Sequence, residues 1–252
     1  MAGINMILFS IYETAKIVSL LGRLVQTPEL YMLSRSLIEK IINYSLCILS
    51  EEYAEAMLSY SNQKGYRVLN RQHSAGGFTI NQSFFRPEDE FLSEKLKKDL
   101  AKFTGPKGRE VTKWTKLSTY ERIDKILELW PSFNALKYLT LLVATYENSS
   151  ESLHGTLYGT SFYFGAFHPN ATSNFEEMIN IKEEHCLTSM AYSVIAISEM
   201  IRLISIKIQI PDILKNSDNE EQKVLKNLRT YSESLKSRRT GTTKYTTNII
   251  ST

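Results

Sequence analysis

Apolar residues recur at three- and four-residue steps over long stretches of the chain, a period that is typical of amphipathic helices. The first such stretch covers residues 4–26. Thr-Pro-Glu at 27–29 then supplies a capping residue, a proline suited to the first helical position and a first-turn acid. A second helix is therefore predicted over 28–49, and a third over 50–71.

The middle of the chain alternates between helical periods and breaks. Glycines interrupt the period at 73–86, where we expect a structured loop. A short helix is predicted over 87–103. Ser-Thr-Tyr-Glu at 118–121 has the form of a capping box, which predicts the start of a fifth helix. A sixth is predicted over 133–153, ending near Gly155.

The last third combines an irregular segment with the longest helix. Glycines and aromatic residues at 155–170 predict irregular chain held on the core by its rings. Ser-Asn-Phe-Glu at 173–176 resembles a second capping box and starts a helix that reaches about Gln209. The pattern as a whole predicts an all-α fold, a single bundle of about seven helices over 1–211. Residues 212–252 are expected to form a fraying helix and then a flexible, disordered basic tail.

Composition narrows the class of protein only slightly. With 252 residues, 42% of them hydrophobic, the chain can bury one substantial core. A net charge of +3 does not by itself indicate a nucleic-acid-binding protein. Cys47 and Cys186 lie in apolar helical surroundings, which favours reduced core thiols and a cytoplasmic location. We expect no membrane segment, because charged residues interrupt the longest apolar stretch, 187–210, and no signal sequence is evident at the start.

Arg35 and Glu39 carry the clearest functional signal, since they lie one helical turn apart in a mostly apolar segment. One interpretation is an ion pair at the edge of the core. The other is that Arg35 faces a cleft between helices and presents its planar guanidinium to an anion, held in place by Glu39. The segment 146–155 supplies polar residues that could accompany the pair, among them Tyr146 and Ser150.

His154 follows at the predicted end of the same helix, where the helix dipole favours a protonated imidazole. It is either a structural histidine or a general acid or base, or it contacts a ligand. Metal binding is not expected. Glu151 and His154 form a single E-x-x-H step where a di-iron bundle uses two, and His185 lacks ligands at zinc spacing.

The second helix contains an R-S-x-x-E run, and a later Y-x-x-S segment leads into His-Gly. With these motifs, the chain resembles an uncharacterised family of bacterial all-helical proteins over about residues 28–165. The pairing of arginine with histidine in a helical bundle is also similar, at the level of fold, to the HEPN ribonucleases of toxin and antiphage systems. That resemblance implies that Arg35 stabilises a phosphorane and that His154 transfers a proton. The chain departs from the HEPN R-x4-6-H motif, because its one match, Arg67 to His73, runs into the glycine loop.

Two functions of different classes follow. The first is a metal-independent endoribonuclease of a bacterial toxin or antiphage defence system. Its catalytic candidates are Arg35, Glu39, Tyr146, Ser150 and His154. The second is a non-catalytic helical module that binds a ligand or acts with a partner protein encoded by a neighbouring gene. No cofactor is expected. RNA, a partner protein and a second copy of the chain are the expected partners, and the basic tail could also touch nucleic acid or be a solvated end.

Overall fold

A computed structural model describes residues 2–83, 92–165, 174–209 and 211–239. These described parts contain nine α-helices and one small antiparallel sheet, so the predicted all-α class is confirmed. The helices are α1 Ala2–Arg23, α2 Thr27–Leu49, α3 Glu51–Val68, α4 Glu94–Lys102, α5 Thr119–Leu129, α6 Ala135–Leu153, α7 Leu157–Ser161, α8 Phe175–Ile208 and α9 Pro211–Arg239. The strands are β1 Asn70–Ala75 and β2 Phe78–Ser83.

The predicted loop at 73–86 contains most of a β-hairpin. β1 and β2 pair in register, with Asn70 opposite Ser83 and Ala75 opposite Phe78. Gly76 and Gly77 turn the chain with φ of 57° and 81°, a conformation that costs glycine little. The hairpin shortens α3, which ends three residues before the predicted position. Residues 84–91, including the predicted start of the fourth helix, lie outside the described residues.

The sequence predicted capping boxes at the starts of α5 and α8. Ser118 accepts a hydrogen bond from the backbone N–H of Glu121, and its own N–H donates to the Glu121 carboxylate, so this predicted capping box is confirmed. At α8 the capping residue is Asn174, whose side-chain oxygen accepts from the N–H groups of Glu176 and Glu177. Ser173, where we expected the cap, lies outside the described residues.

The chain divides into two compact units. The first contains residues 1–6 and 46–131, with the hairpin and helices α3 to α5. Within it, Glu110 joins α3 to β1 by accepting from Lys64 at 2.8 Å and from Arg71 at 2.7 Å. The hydrogen bond from Lys64 is the main cause that lowers the pKa of the Glu110 carboxyl, and the charges of Lys64 and Arg71 add to it, although burial opposes this.

The second unit contains residues 7–45 and 132–252, and its described part includes helices α6 to α9. Small hydroxyl residues let α2 and α8 approach closely, since Ser189 and Ser193 both donate to the hydroxyl of Ser34, at 2.9 and 3.0 Å. α8 also contacts α9, where Arg202 donates to Asp218 at 3.0 Å. Part of the segment where we expected a fraying helix therefore packs as α9. The expected disordered end, 240–252, lies outside the described residues.

Two described helices could cross a bilayer by length and composition. They span Ile4–Arg23 and Phe175–Ile208, and 22% and 44% of their apolar windows are buried. Core helices and signal sequences pass the same test, so this is weak evidence. The expectation of no membrane segment stays a prediction, as does the cytoplasmic location.

Candidate functional site

The candidate site lies in the second unit and begins with the α2 pair. The Nε–H of Arg35 donates to a Glu39 carboxylate oxygen at 3.3 Å, as the i, i+4 spacing predicts. The two side chains are 21% and 33% exposed. The pair is therefore partly shielded from water, and solvent can still reach it.

Arg35 also reaches across to α6. Its guanidinium carbon lies 3.8 Å from the ring centroid of Tyr146, a cation–π arrangement. The Nη1 group makes a long hydrogen bond, 3.5 Å, to the backbone carbonyl of Tyr146. The ion pair of the first interpretation is thus present, and Arg35 also contacts a second helix, whereas anion binding stays a prediction.

The remaining N–H donors of the guanidinium are the part of Arg35 that is available to a ligand. Arginine carries five N–H donors in a fixed plane. Within the part of the chain that the structure describes, the Nη2 group of Arg35 makes no hydrogen bond or ion pair. The arrangement therefore holds the plane of the guanidinium with three contacts and leaves donors open for a carboxylate or phosphate.

The structure separates His154 from this group. His154 is exposed and caps the C-terminal end of α6, where its N–H donates to the carbonyl of Ser150. At 1.5 Å per residue, it lies about 12 Å along the helix axis from Tyr146. No hydrogen bond, ion pair or ring contact joins it to Arg35 or Glu39 among the described residues. Three of the five candidates are therefore brought together, and Ser150, which is half-buried, lies between them and His154 along α6.

An aromatic cluster that the sequence did not predict lies one turn before Arg35 on α2. The Tyr31 hydroxyl is 3.1 Å from Nδ1 of His185 on α8, and the Tyr31 ring lies 5.0 Å from that of Tyr163. Burial is the main cause that raises the pKa of Tyr31 far above its ordinary value. The phenol therefore keeps its proton, and its hydroxyl shares a hydrogen bond with Nδ1 of His185.

Tyr163 ties the cluster to the end of α6. Its hydroxyl hydrogen-bonds with the side chain of Ser152 and donates to the carbonyl of Asn148 at 3.3 Å. Gly159 on α7 makes this possible, because a Cβ there would lie 2.3 Å from the carbonyl carbon of Glu151. The segment expected to be irregular thus contains α7 and a 3₁₀ turn, Phe162–Phe164, and the expected ring packing holds for Tyr163, which is buried.

The weaker candidates have local structural contacts. Arg67 donates to Gln63 at 2.8 Å and to Thr104 at 2.6 Å, while His73 is exposed on β1. No group of three potential metal ligands occurs among the described residues. Cys47 and Cys186 are both free and buried. Burial raises the pKa of the first thiol to about 12 and of the second to about 11.

Comparison with known proteins identifies the family of the chain but does not indicate an activity. No curated protein and no solved structure matches the chain. A family model matches residues 4–171, a stretch that includes every predicted site residue and agrees with the expected likeness to an uncharacterised family. The chain therefore belongs to the family of unknown function DUF5677.

Proposed function

We propose that this protein is a non-catalytic helical module that binds an anionic group, a carboxylate or a phosphate, of a partner protein or small ligand. The observation that carries the proposal is the open edge of Arg35. Its guanidinium is held by Glu39 and stacked on Tyr146, and its Nη2 group makes no hydrogen bond or ion pair to any described residue.

Preorganisation is the physical reason for preferring this function. An arginine already fixed by protein contacts loses little side-chain entropy when it binds, so more of each charge-assisted hydrogen bond appears as affinity. Glu39 reduces the net charge of the site, which favours a ligand that offers two oxygens to the open edge over a simple halide. A lysine at position 35 would keep the charge and lose both the second donor and the planar stack.

Thermal unfolding at constant ionic strength tests the proposal. Ligands that bind only the folded state raise the melting temperature by mass action. Inorganic phosphate and N-acetylglutamate, each at about twenty times a Kd of order 1 mM, should stabilise the wild type by about 2 kcal/mol relative to chloride. Arg35→Lys should lose most of this stabilisation. Arg229→Lys is the matched control, because Arg229 is an exposed arginine on α9 of the same unit. Equal shifts in all three proteins, or no shift in the wild type, would contradict the proposal.

A HEPN-like, metal-independent endoribonuclease is the second candidate, and the observation that favours it is the exposure of the His154 imidazole one helical turn after Ser150. An exposed imidazole is free to exchange protons with a bound RNA. The candidate requires Arg35 and His154 to act on one phosphate despite their separation along α6. It predicts that purified protein degrades RNA in the presence of EDTA, and that Arg35→Ala and His154→Ala each abolish cleavage without unfolding the protein. Undiminished cleavage in both variants, or an inactive wild type, would end this candidate.

A further inference from the structure

Helix α1 carries an apolar stripe that faces away from the core. Ile4, Ile11 and Val18 point inward and are buried. Large apolar side chains on the opposite face are 44% to 69% exposed: Met6, Phe9, Tyr12, Ile17 and Leu20. Exposed apolar side chains grouped on one helix face mark an interaction surface more often than scattered single residues do.

Three members of the stripe lie at coiled-coil spacing together with three charged residues. Steps of three and four residues connect these six positions along one side of the helix: Met6, Phe9, Glu13, Lys16, Leu20 and Arg23. Such alternation of three- and four-residue steps places side chains at the a and d positions of a heptad. The surface therefore fits another helix of similar length.

The charges in the seam select the partner and its direction. Consider two α1 helices that run antiparallel, with the two-fold axis passing between Thr14 and Ala15 of each helix. This alignment places Glu13 of one copy opposite Lys16 of the other. The same alignment pairs Phe9 with Leu20 and Met6 with Arg23. Two-fold symmetry repeats each pair, giving two opposite-charge contacts, two apolar contacts and two contacts between methionine and arginine. A parallel alignment in register would place each charge opposite its own kind, which is unfavourable.

We propose that α1 forms an antiparallel helix pair with α1 of a second copy of this chain. The inference does not depend on the proposed function of Arg35. In the single chain, Lys16 lies 3.3 Å from Glu13 of the same helix, and the side chains are 55% and 45% exposed. Both can therefore exchange this weak local ion pair for contacts with the second copy. The apolar pairs supply the affinity, and the charge pairs set the register.

Charge reversal tests the pairing. Sedimentation equilibrium of the full chain should give a dimer for the wild type. Glu13→Lys and Lys16→Glu should each weaken the dimer at least about tenfold, because each creates two like-charge contacts by symmetry. The double variant Glu13→Lys/Lys16→Glu should restore it. Glu55→Lys, a reversal at an exposed position on α3, is the matched control and should leave the dimer unchanged.

Cysteine cross-linking tests the register independently. A chain with Phe9→Cys and Leu20→Cys should form disulfide-linked dimers on mild oxidation, since the two native thiols are buried. Phe9→Cys alone should not, because the two copies of position 9 lie about 16 Å apart in this alignment. A monomeric wild type at tens of micromolar overturns the proposal, and so does a dimer that tolerates both single reversals. Binding of monomers to anionic lipid vesicles would assign the stripe to a membrane and would also overturn it.

Discussion

Replacing Gly159 by alanine should destabilise the end of α6, which Tyr163 of the aromatic cluster contacts. The added Cβ would lie 2.3 Å from the carbonyl carbon of Glu151 and 2.4 Å from both its oxygen and the nitrogen of Ser152. These are backbone atoms of a helix, which cannot rotate aside as a side chain can. Overpacking of this kind costs about 1–3 kcal/mol, and we expect the upper end of that range.

Displacement of α7 by the added methyl group would increase this cost. If α7 moves away from α6, the hydrogen bonds that Tyr163 makes to Ser152 and Asn148 weaken, at about 1 kcal/mol each. A total of about 4–5 kcal/mol corresponds to a fall in melting temperature of about 8–20 °C for a chain of this size. Far-UV circular dichroism during heating measures it directly.

Two further glycines provide matched controls for the same substitution. Gly65 lies within α3 with no atom within 4 Å of a built Cβ, so Gly65→Ala should stabilise the protein by up to about 1 kcal/mol. A Cβ at Gly22 would lie 2.3 Å from the sulfur of Met190, a flexible side chain that can move, so Gly22→Ala should cost less than Gly159→Ala. The reasoning is refuted if Gly159→Ala unfolds within about 1 °C of the wild type, or if Gly65→Ala is the more damaging change.

Three other changes test separate parts of the second unit and the thiols. Tyr31→Phe removes the hydrogen bond to the His185 imidazole on α8 and should lower the free energy of unfolding, measured by urea denaturation, by about 1 kcal/mol. An unchanged free energy of unfolding would show that this bond does not stabilise the fold. Lys137→Met removes the cation 2.8 Å from the buried Glu199 carboxylate and should cost about 3 kcal/mol, whereas adding Glu199→Met should recover part of that loss. No recovery in the double variant would show that the loss comes from packing. Burial raises the thiol pKa of Cys47 to about 12 and of Cys186 to about 11, from an ordinary value of 9.0. The protonated thiols therefore make their full contribution to the free energy of unfolding below about pH 9, and this contribution is lost as the pH rises through 11 to 12. At pH 8 both thiols should therefore react with a disulfide reagent far more slowly in native protein than in urea, and equal rates would contradict their burial.

Local sequence signals predicted the long helices because their information lies within a few residues. The apolar period located α1 to within about three residues at each end, and the proline at 28 located the start of α2. The hairpin was missed because β1 and β2 are short and largely exposed, so they bury no alternating apolar face that would reveal a strand. Asn174 was missed because Ser173 beside it fits the same capping pattern.

In the candidate site, too, contacts within one helix could be predicted from the sequence and contacts between helices could not. Arg35 and Glu39 are four residues apart on one helix, so their contact follows from helical geometry alone. The stacking of Arg35 on Tyr146 depends on how α2 and α6 pack, and no sequence pattern encodes that. Tyr31 and His185 are separated by 154 positions, so their contact also depends on how α2 and α8 pack.

Whether the open edge of Arg35 receives an anion is the central question, and NMR of the arginine Nε–Hε groups answers it most directly. The Arg35 signal is assigned by its loss in Arg35→Lys, and inorganic phosphate is titrated at constant ionic strength. We predict a saturable shift of the Arg35 signal, with the exposed Arg229 moving little. An Arg35 signal that stays fixed, or shifts that are equal and unsaturable at both arginines, would contradict the assignment of this site.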